Sequence, residues 1–156
     1  MNATNERNKT WVKRADRRGA AVVEFAVVSP LLFLLVMGAI DVGQYVNVSQ
    51  TVSDASREGA RLAAQNEMTS STAIENVVLE YLEDSFPHVS GAALNAACSV
   101  TVTDSASAPV TDLTTISEGS SVSVQVDLEF DTVRWIQSVS LGGNRTLSTT
   151  TVTRRE

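Results

Sequence analysis

The sequence predicts an α+β fold in which a long N-terminal transmembrane helix continues into a small exported domain. Three observations support this fold class. An apolar segment covers residues 20–40, a seam with helical spacing follows it, and alternation with a period of two dominates the chain after Pro87. We expect the exported domain to contain a second helix packed on an antiparallel sheet of about three to four strands.

Charge divides the 156-residue chain into a basic end and an acidic remainder. Residues 1–19 carry six basic and two acidic side chains, a net charge of +4, whereas the whole chain carries −6, so residues 20–156 carry −10. The basic end lacks hydrophobic periodicity, which predicts an unstructured leader in the cytoplasm. The acidic remainder disfavours nucleic acid as a partner, because phosphate binding needs clustered Lys and Arg.

The apolar segment at residues 20–40 is long enough to cross a membrane. At about 1.5 Å per residue it forms a helix of roughly 31 Å, with Glu24 and Ser29 as its polar exceptions. Pro30 should bend this helix. The apolar region of an ordinary secretory signal is shorter and precedes a small-residue cleavage site, so we expect this segment to stay with the protein.

A seam of apolar and small residues extends the predicted helix to residue 64. Its members recur three and four positions apart. They are Tyr45, Val48, Val52, Ala55, Gly59 and Leu62. Two interpretations stay open, since the seam could pack against its own domain or bind a partner.

Residues 65–156 form the predicted exported domain. Thr72 and Glu75 have the spacing of a capping box, and apolar residues at helical spacing predict a helix over 72–86 that Pro87 ends. Strands are predicted at 98–102, at 122–130 and, after a turn at Gly142 and Gly143, at 144–154. A further short strand is expected at 111–116. The sheet should pack one face on the second helix and on the seam.

The sequence offers little for catalysis or ligand binding. Its single histidine, His88, has no Cys or His nearby in sequence with which to share a metal, and a surface position is expected for it. Its single cysteine, Cys98, excludes an internal disulfide and is expected to be a small core residue. No phosphate-binding glycine loop or nucleophile motif is present. We therefore expect neither an enzyme nor a cofactor or metal site.

The boundary between the basic and apolar segments carries the most informative pattern. It reads RRGAAVVEF, with a glycine directly before the apolar helix and a carboxylate inside it. This pattern resembles the processing site of type IV-like prepilins. The stretches RRGAAVVEFAVVSPLLFLLVMGAIDVGQ and SREGARLAA, together with the ending TVTRRE, resemble the TadE-like minor pseudopilins of tight-adherence (Flp) pili. The resemblance is specific over residues 17–64.

The resemblance implies roles for individual residues. Gly19 would precede the bond that a prepilin peptidase cleaves, and Ala20 would become the mature N-terminus. Glu24 and Phe25 would serve peptidase recognition or subunit pairing. The helix signature of the family matches Arg57, Glu58, Gly59 and Arg61, without an implied chemical role.

The resemblance also implies partners, a location and a domain plan. The partners would be the prepilin peptidase, other pseudopilins, the major pilin and an inner-membrane assembly platform. The protein would cross the bacterial inner membrane once, with its C-terminal domain periplasmic or extracellular, and could enter the pilus. Its plan would be a cleaved leader at 1–19, a helix at 20–64 and a pilin-like head at 65–156. Two alternatives remain, an uncleaved anchored domain that binds an envelope partner and a tethered exported enzyme.

Overall fold

The computed structural model describes residues 7–135 and 145–156, with side chains from residue 19 onward. The chain divides into two compact units, Met1–Asp41 and Val42–Glu156. The second unit is called the packed domain below. The predicted turn at Gly142 and Gly143 lies outside the described residues.

The first helix, α1 (Arg7–Ala63), is 57 residues long and contains Pro30 without ending there. It begins before the predicted start at residue 20, so the expectation of an unstructured leader was wrong for residues 7–18. No glycine or proline occurs between Arg7 and Arg18, and a helix that has already formed propagates by one hydrogen bond per added residue. By length and composition, Gly19–Ala63 is the one helix in the described part of the chain that could cross a membrane.

The predicted α+β architecture is confirmed in the packed domain. After α1 come α2 (Ser71–Ser85), α3 (Gly91–Ala97), β1 (Cys98–Thr103), a 3₁₀ turn at Leu113–Thr115, β2 (Ser121–Glu129), α4 (Phe130–Val133) and β3 (Thr146–Arg154). The strands form an antiparallel sheet in the order β1-β2-β3. Val126 lies opposite Val100 of β1 and Thr149 of β3.

The seam of α1 packs inside its own domain. Val52 and Ala55 are fully buried, and Val48 and Leu62 are nearly so. They share one core with Ile74, Val78 and Leu82 of α2 and with Val122, Val124, Val126 and Leu128 of β2. Every second residue of β2 is buried from Val122 to Leu128, as its alternation predicts. The core therefore lies between the sheet on one side and α1 and α2 on the other.

Several local predictions were wrong. Ser70 caps α2, because its hydroxyl accepts a hydrogen bond from the Thr72 N–H at 3.2 Å, so Thr72 and Glu75 do not form the capping box. The segment 111–116 is a 3₁₀ turn instead of a strand, since the Asp112 carboxylate accepts from the Thr114 N–H and caps the turn. The helix α3 was not predicted. The chain leaves β2 at Glu129, so Phe130 begins α4 and is buried there.

Candidate functional site

The residues of the predicted processing site lie exposed on α1. Gly19, Ala20 and Glu24 are all accessible, and Phe25 is 68% exposed. Glu24 forms no hydrogen bond or ion pair with any side chain that the structure describes. These four residues thus lie on one short, accessible stretch of α1, and they form no hydrogen bonds or ion pairs with one another.

Gly19 has no packing reason to be a glycine within the described part of the chain. A Cβ atom built at this position would meet no described heavy atom within 4 Å. Glycine inside a helix costs roughly 0.5–1 kcal/mol relative to alanine, so the residue weakens α1 without a compensating contact.

The apolar side chains that follow Gly19 are also uncovered. The large hydrophobic residues from Val22 to Val36 are between 48% and 73% exposed. A soluble monomer rarely exposes so continuous an apolar surface, whereas a bilayer requires one. The segment has the length, the composition and the exposed surface of a membrane anchor.

Gly59, by contrast, lies where α1 approaches α2 and the sheet most closely. A Cβ atom there would stand 2.9 Å from Val78 Cγ2 and 3.2 Å from Val124 Cγ1. Both distances are shorter than an ordinary van der Waals contact, so the neighbouring side chains would have to move. The neighbouring Ser56 is fully buried, and its hydroxyl donates to the Val124 carbonyl oxygen at 2.9 Å. Its oxygen also lies 2.9 Å from Thr151 Oγ1. Small and hydroxyl-bearing residues thus join α1 to β2 and β3.

The charged members of the helix signature form ion pairs on the surface of α1. Arg61 donates to both carboxylate oxygens of Glu58, at 2.9 and 2.6 Å, and Arg57 donates to Asp54 at 3.2 Å. The hydrogen bonds from Arg61 hold the pKa of the Glu58 carboxyl below its ordinary value of 4.5, against a smaller opposing effect of burial. The guanidinium of Arg61 is stabilised in return, and its pKa is raised.

These arginines also line a groove of about 410 Å³ between α1 and β3. Arg57 and Arg61 form part of its helical wall, and Arg154 with Glu156 lies on the strand side. The predicted signature therefore divides into two parts. Gly59 faces the core, whereas the charged residues face solvent and the groove.

Two features of the site were missed by sequence reasoning. Ser56 was not singled out, although it lies four residues after Val52 and three before Gly59, spacings that place it beside the seam. Arg155 is only 4% exposed, and its Nη2 donates to the Met68 carbonyl at 3.4 Å. The next residue, Glu156, donates its N–H to the Ala64 carbonyl at 2.9 Å. The ending TVTRRE thus holds β3 to the end of α1, which no local pattern predicts.

The remaining candidates do not form a site. His88 is exposed, as expected, and its Nε2 lies 2.9 Å from the Val133 carbonyl. Cys98 is partly buried, and burial, with smaller contributions from Glu75 and Asp127, raises the pKa of its thiol to about 11. Among the described residues, no group of three or more Cys, His, Asp or Glu side chains could hold a metal ion.

Comparison with known proteins finds a similarity to one family within the long helix. Residues 19–61 match the family model described as TadE-like protein. The match begins at Gly19 and ends at Arg61, so it covers the apolar segment and the helix signature. No curated protein and no solved structure matches the chain. Over residues 19–61 the chain is similar to TadE-like proteins, which is consistent with a TadE-like protein of the tight-adherence system.

Proposed function

We propose that this protein is a minor pseudopilin that is anchored in the bacterial inner membrane and takes part in assembling a tight-adherence pilus. In this proposal a prepilin peptidase cleaves the chain after Gly19 and removes the +4 leader. The helix from Ala20 onward is retained as the anchor, and the packed domain is exported. Its partners are then the peptidase, other pseudopilins, the major pilin and the assembly platform of the inner membrane.

The observation that carries the proposal is the glycine without a packing role at the start of the TadE-like match. Gly19 is exposed, and a side chain there would meet no described atom. A peptidase cleft that approaches the backbone closely would require the absence of a side chain at this position. Glu24 and Phe25 follow on the same accessible stretch and supply a charged and an aromatic recognition element.

Glu24 also suits a role after cleavage. Glu24 is the fifth residue of the apolar segment. A carboxylate costs about 2.5–3.5 kcal/mol at the centre of a membrane helix on insertion scales and less near its end, where it can reach the interface, and such residues usually have a partner. Cleavage would create an α-amine at Ala20, about 6 Å along the axis from Glu24. In an assembled bundle, the carboxylate of one subunit would pair with the amine of a neighbour, so that neither charge remains alone in lipid.

Two other functions would use the same anchor. An uncleaved single-pass protein that binds an envelope partner would keep the leader and would give Gly19 no purpose. A tethered enzyme would need converging polar groups, and the raised pKa of Cys98 together with the exposed position of His88 favours an assembly role over catalysis.

The test compares two glycines on α1. In cells that produce tight-adherence pili, Gly19→Phe should block the cleft and leave the full-length precursor. Gly43→Phe is the matched control, because a side chain at Gly43 also meets no described atom within 4 Å. Mobility on a gel and intact mass report the cleavage. Normal maturation of Gly19→Phe would refute processing at this bond.

Glu24→Ala separates recognition from assembly. Removal of the carboxylate should leave membrane insertion intact or improved, because an intramembrane charge is lost. Pilus-dependent adherence should nevertheless fail if Glu24 pairs with a neighbouring amine. If the Glu24→Ala variant were cleaved and cells producing it adhered normally, the role of Glu24 would be at most recognition by the peptidase.

A further inference from the structure

The three-stranded sheet has two edges, and they differ in how they are covered. Beside β1, Val110 donates its N–H to the Val102 carbonyl at 2.9 Å, and Thr103 pairs with Pro109 in an isolated bridge. The nine residues of β3 pair only with β2 in the part of the chain that the structure describes. Natural proteins usually shorten, charge or cover an edge strand of this length, because its unpaired backbone groups attract another strand.

Hydrogen bonds at both ends of β3 establish which backbone groups face this open edge. Arg155 N–H donates to the Ser120 carbonyl, and the Arg145 carbonyl accepts from the Phe130 N–H at 2.8 Å. In both bonds the group on the β3 side belongs to an odd-numbered residue, Arg155 or Arg145, and it points toward β2. Because backbone groups alternate in direction along an antiparallel strand, the N–H and C=O groups of even-numbered residues point outward. These residues are Ser148, Thr150, Val152 and Arg154.

The groove along this edge contains three arginines and one glutamate, Glu156, and so has an excess of basic side chains in an otherwise acidic domain. Residues 42–156 contain fourteen Asp and Glu residues against six Arg residues. Three of those six, Arg57, Arg61 and Arg154, line the groove. The side chains of Arg57 and Arg61 remain 70% and 59% exposed despite their intrahelical pairs. Because a guanidinium carries five N–H donors, each of these two retains donors for a further carboxylate.

We propose that the outer edge of β3 binds an extended acidic segment of another protein, which adds to the sheet as a fourth strand. The outward backbone groups of Thr150 and Val152 supply the ladder hydrogen bonds, and the arginines of the groove select carboxylates. Val152, 64% exposed, provides an apolar cross-strand neighbour. A second copy paired through its own β3 would bring two sets of these arginines together, which like-charge repulsion opposes.

The test uses the full chain in detergent micelles and two synthetic peptides of about ten residues. One alternates Val and Glu, and the other alternates Val and Lys. The acidic peptide should bind at least about tenfold more tightly. On binding it should slow hydrogen exchange at the amides of Thr150 and Val152. The amides of Thr151 and Thr153 should not change, because they are already bonded to β2. Absence of binding, equal binding of both peptides, or protection without this alternation would overturn the proposal.

Two substitutions separate backbone pairing from charge. Val152→Pro removes an outward N–H and leaves the ladder with β2 intact, as prolines on edge strands do, so affinity for the acidic peptide should fall at least about tenfold. Val152→Thr retains the N–H and should bind nearly as the unaltered chain does. An equal loss for both would contradict strand addition. If Val152→Pro fails to fold, Arg57→Gln combined with Arg61→Gln gives a second test, which predicts loss of the preference for the acidic peptide.

This proposal does not depend on cleavage after Gly19. A chain that retains its leader would still present the edge of β3, and a correctly processed chain could fail to bind the peptide. Intact mass and peptide affinity therefore distinguish failure of the proposed function from failure of the docking site.

Discussion

Gly19 and Gly59 lie on the same helix and within the same family match, yet a side chain would have different consequences at the two positions. At Gly59 it would collide with Val78 and Val124, whereas at Gly19 it would meet no atom that the structure describes. The surroundings differ in the same way. Residues near Gly59 are buried in the packed domain, and those after Gly19 expose apolar side chains throughout. Contacts with α2 and the sheet explain one part of α1, whereas the other part has the exposed apolar surface of a membrane anchor.

The largest expected effect is a charge placed in the packed part. Val124 is fully buried beside Gly59, so Val124→Asp would bury an unpaired carboxylate and should cost at least about 3 kcal/mol of unfolding free energy. Ser123→Asp is the matched control, because Ser123 is only partly buried in the neighbouring position of β2. Urea unfolding of both variants in detergent, followed by circular dichroism, measures the difference. Equal stability would show that the inward face of β2 is assigned wrongly.

The thiol of Cys98 tests the same packed interior through chemistry. Burial raises its pKa to about 11, from an ordinary value of 9.0. Because the thiolate is the reactive form, alkylation by iodoacetamide at pH 8 should be about 100-fold slower than that of a free thiol. The rate should rise steeply up to about pH 11. A plateau below pH 9 would mean that Cys98 is exposed.

A methyl group added at each of two glycines compares a close-packed position of α1 with an exposed position of the same helix. Gly59→Ala should destabilise the packed domain by about 1–2 kcal/mol, because overpacking outweighs the gain in helix propensity. Gly43→Ala, which meets no described atom, should be neutral or stabilising by up to about 1 kcal/mol. The two unfolding free energies give the comparison. A neutral Gly59→Ala would indicate that α1 and α2 are not in close contact.

The smallest effect is expected at the surface pair of Glu58 and Arg61. Glu58→Gln should cost no more than a few tenths of a kcal/mol at pH 7, because solvent screens an exposed i, i+3 pair. The pKa of Glu58 is lowered in the folded state, so its contribution is present above the unfolded pKa and is lost as pH falls through the folded value. The difference between the variant and the unaltered chain should therefore shrink as the pH falls below 4.5 and disappear in stronger acid. A difference that grows in acid would contradict the pair.

Sequence reasoning succeeded where periodicity alone decides the structure. The seam from Val48 to Leu62 is buried as its spacing predicts, and the alternation in β2 gives both the strand and its inward face. Local hydrogen bonds limited the rest. Ser70 caps α2 in place of Thr72, and the Asp112 side chain caps a 3₁₀ turn where the Thr and Ile content of residues 111–116 favours a strand.

Contacts distant in sequence were not predictable from local patterns. Ser56 reaches the Val124 carbonyl across 68 positions, and Arg155 reaches Met68 across 87. The helix signature shows the same limit in part. The spacing of the seam places Gly59 on the inward face, but no local pattern indicates that Arg57 and Arg61 line a groove against β3.

The intact mass of the unaltered protein, purified from membranes of cells that assemble the pilus, tests the central claim most directly. The account predicts a chain that begins at Ala20, with residues 1–19 removed and residues 20–156 complete. A protein that retains its basic leader in such cells, or one that begins at any other residue, would contradict processing after Gly19. The exposed glycine at the start of the apolar segment would then need another explanation.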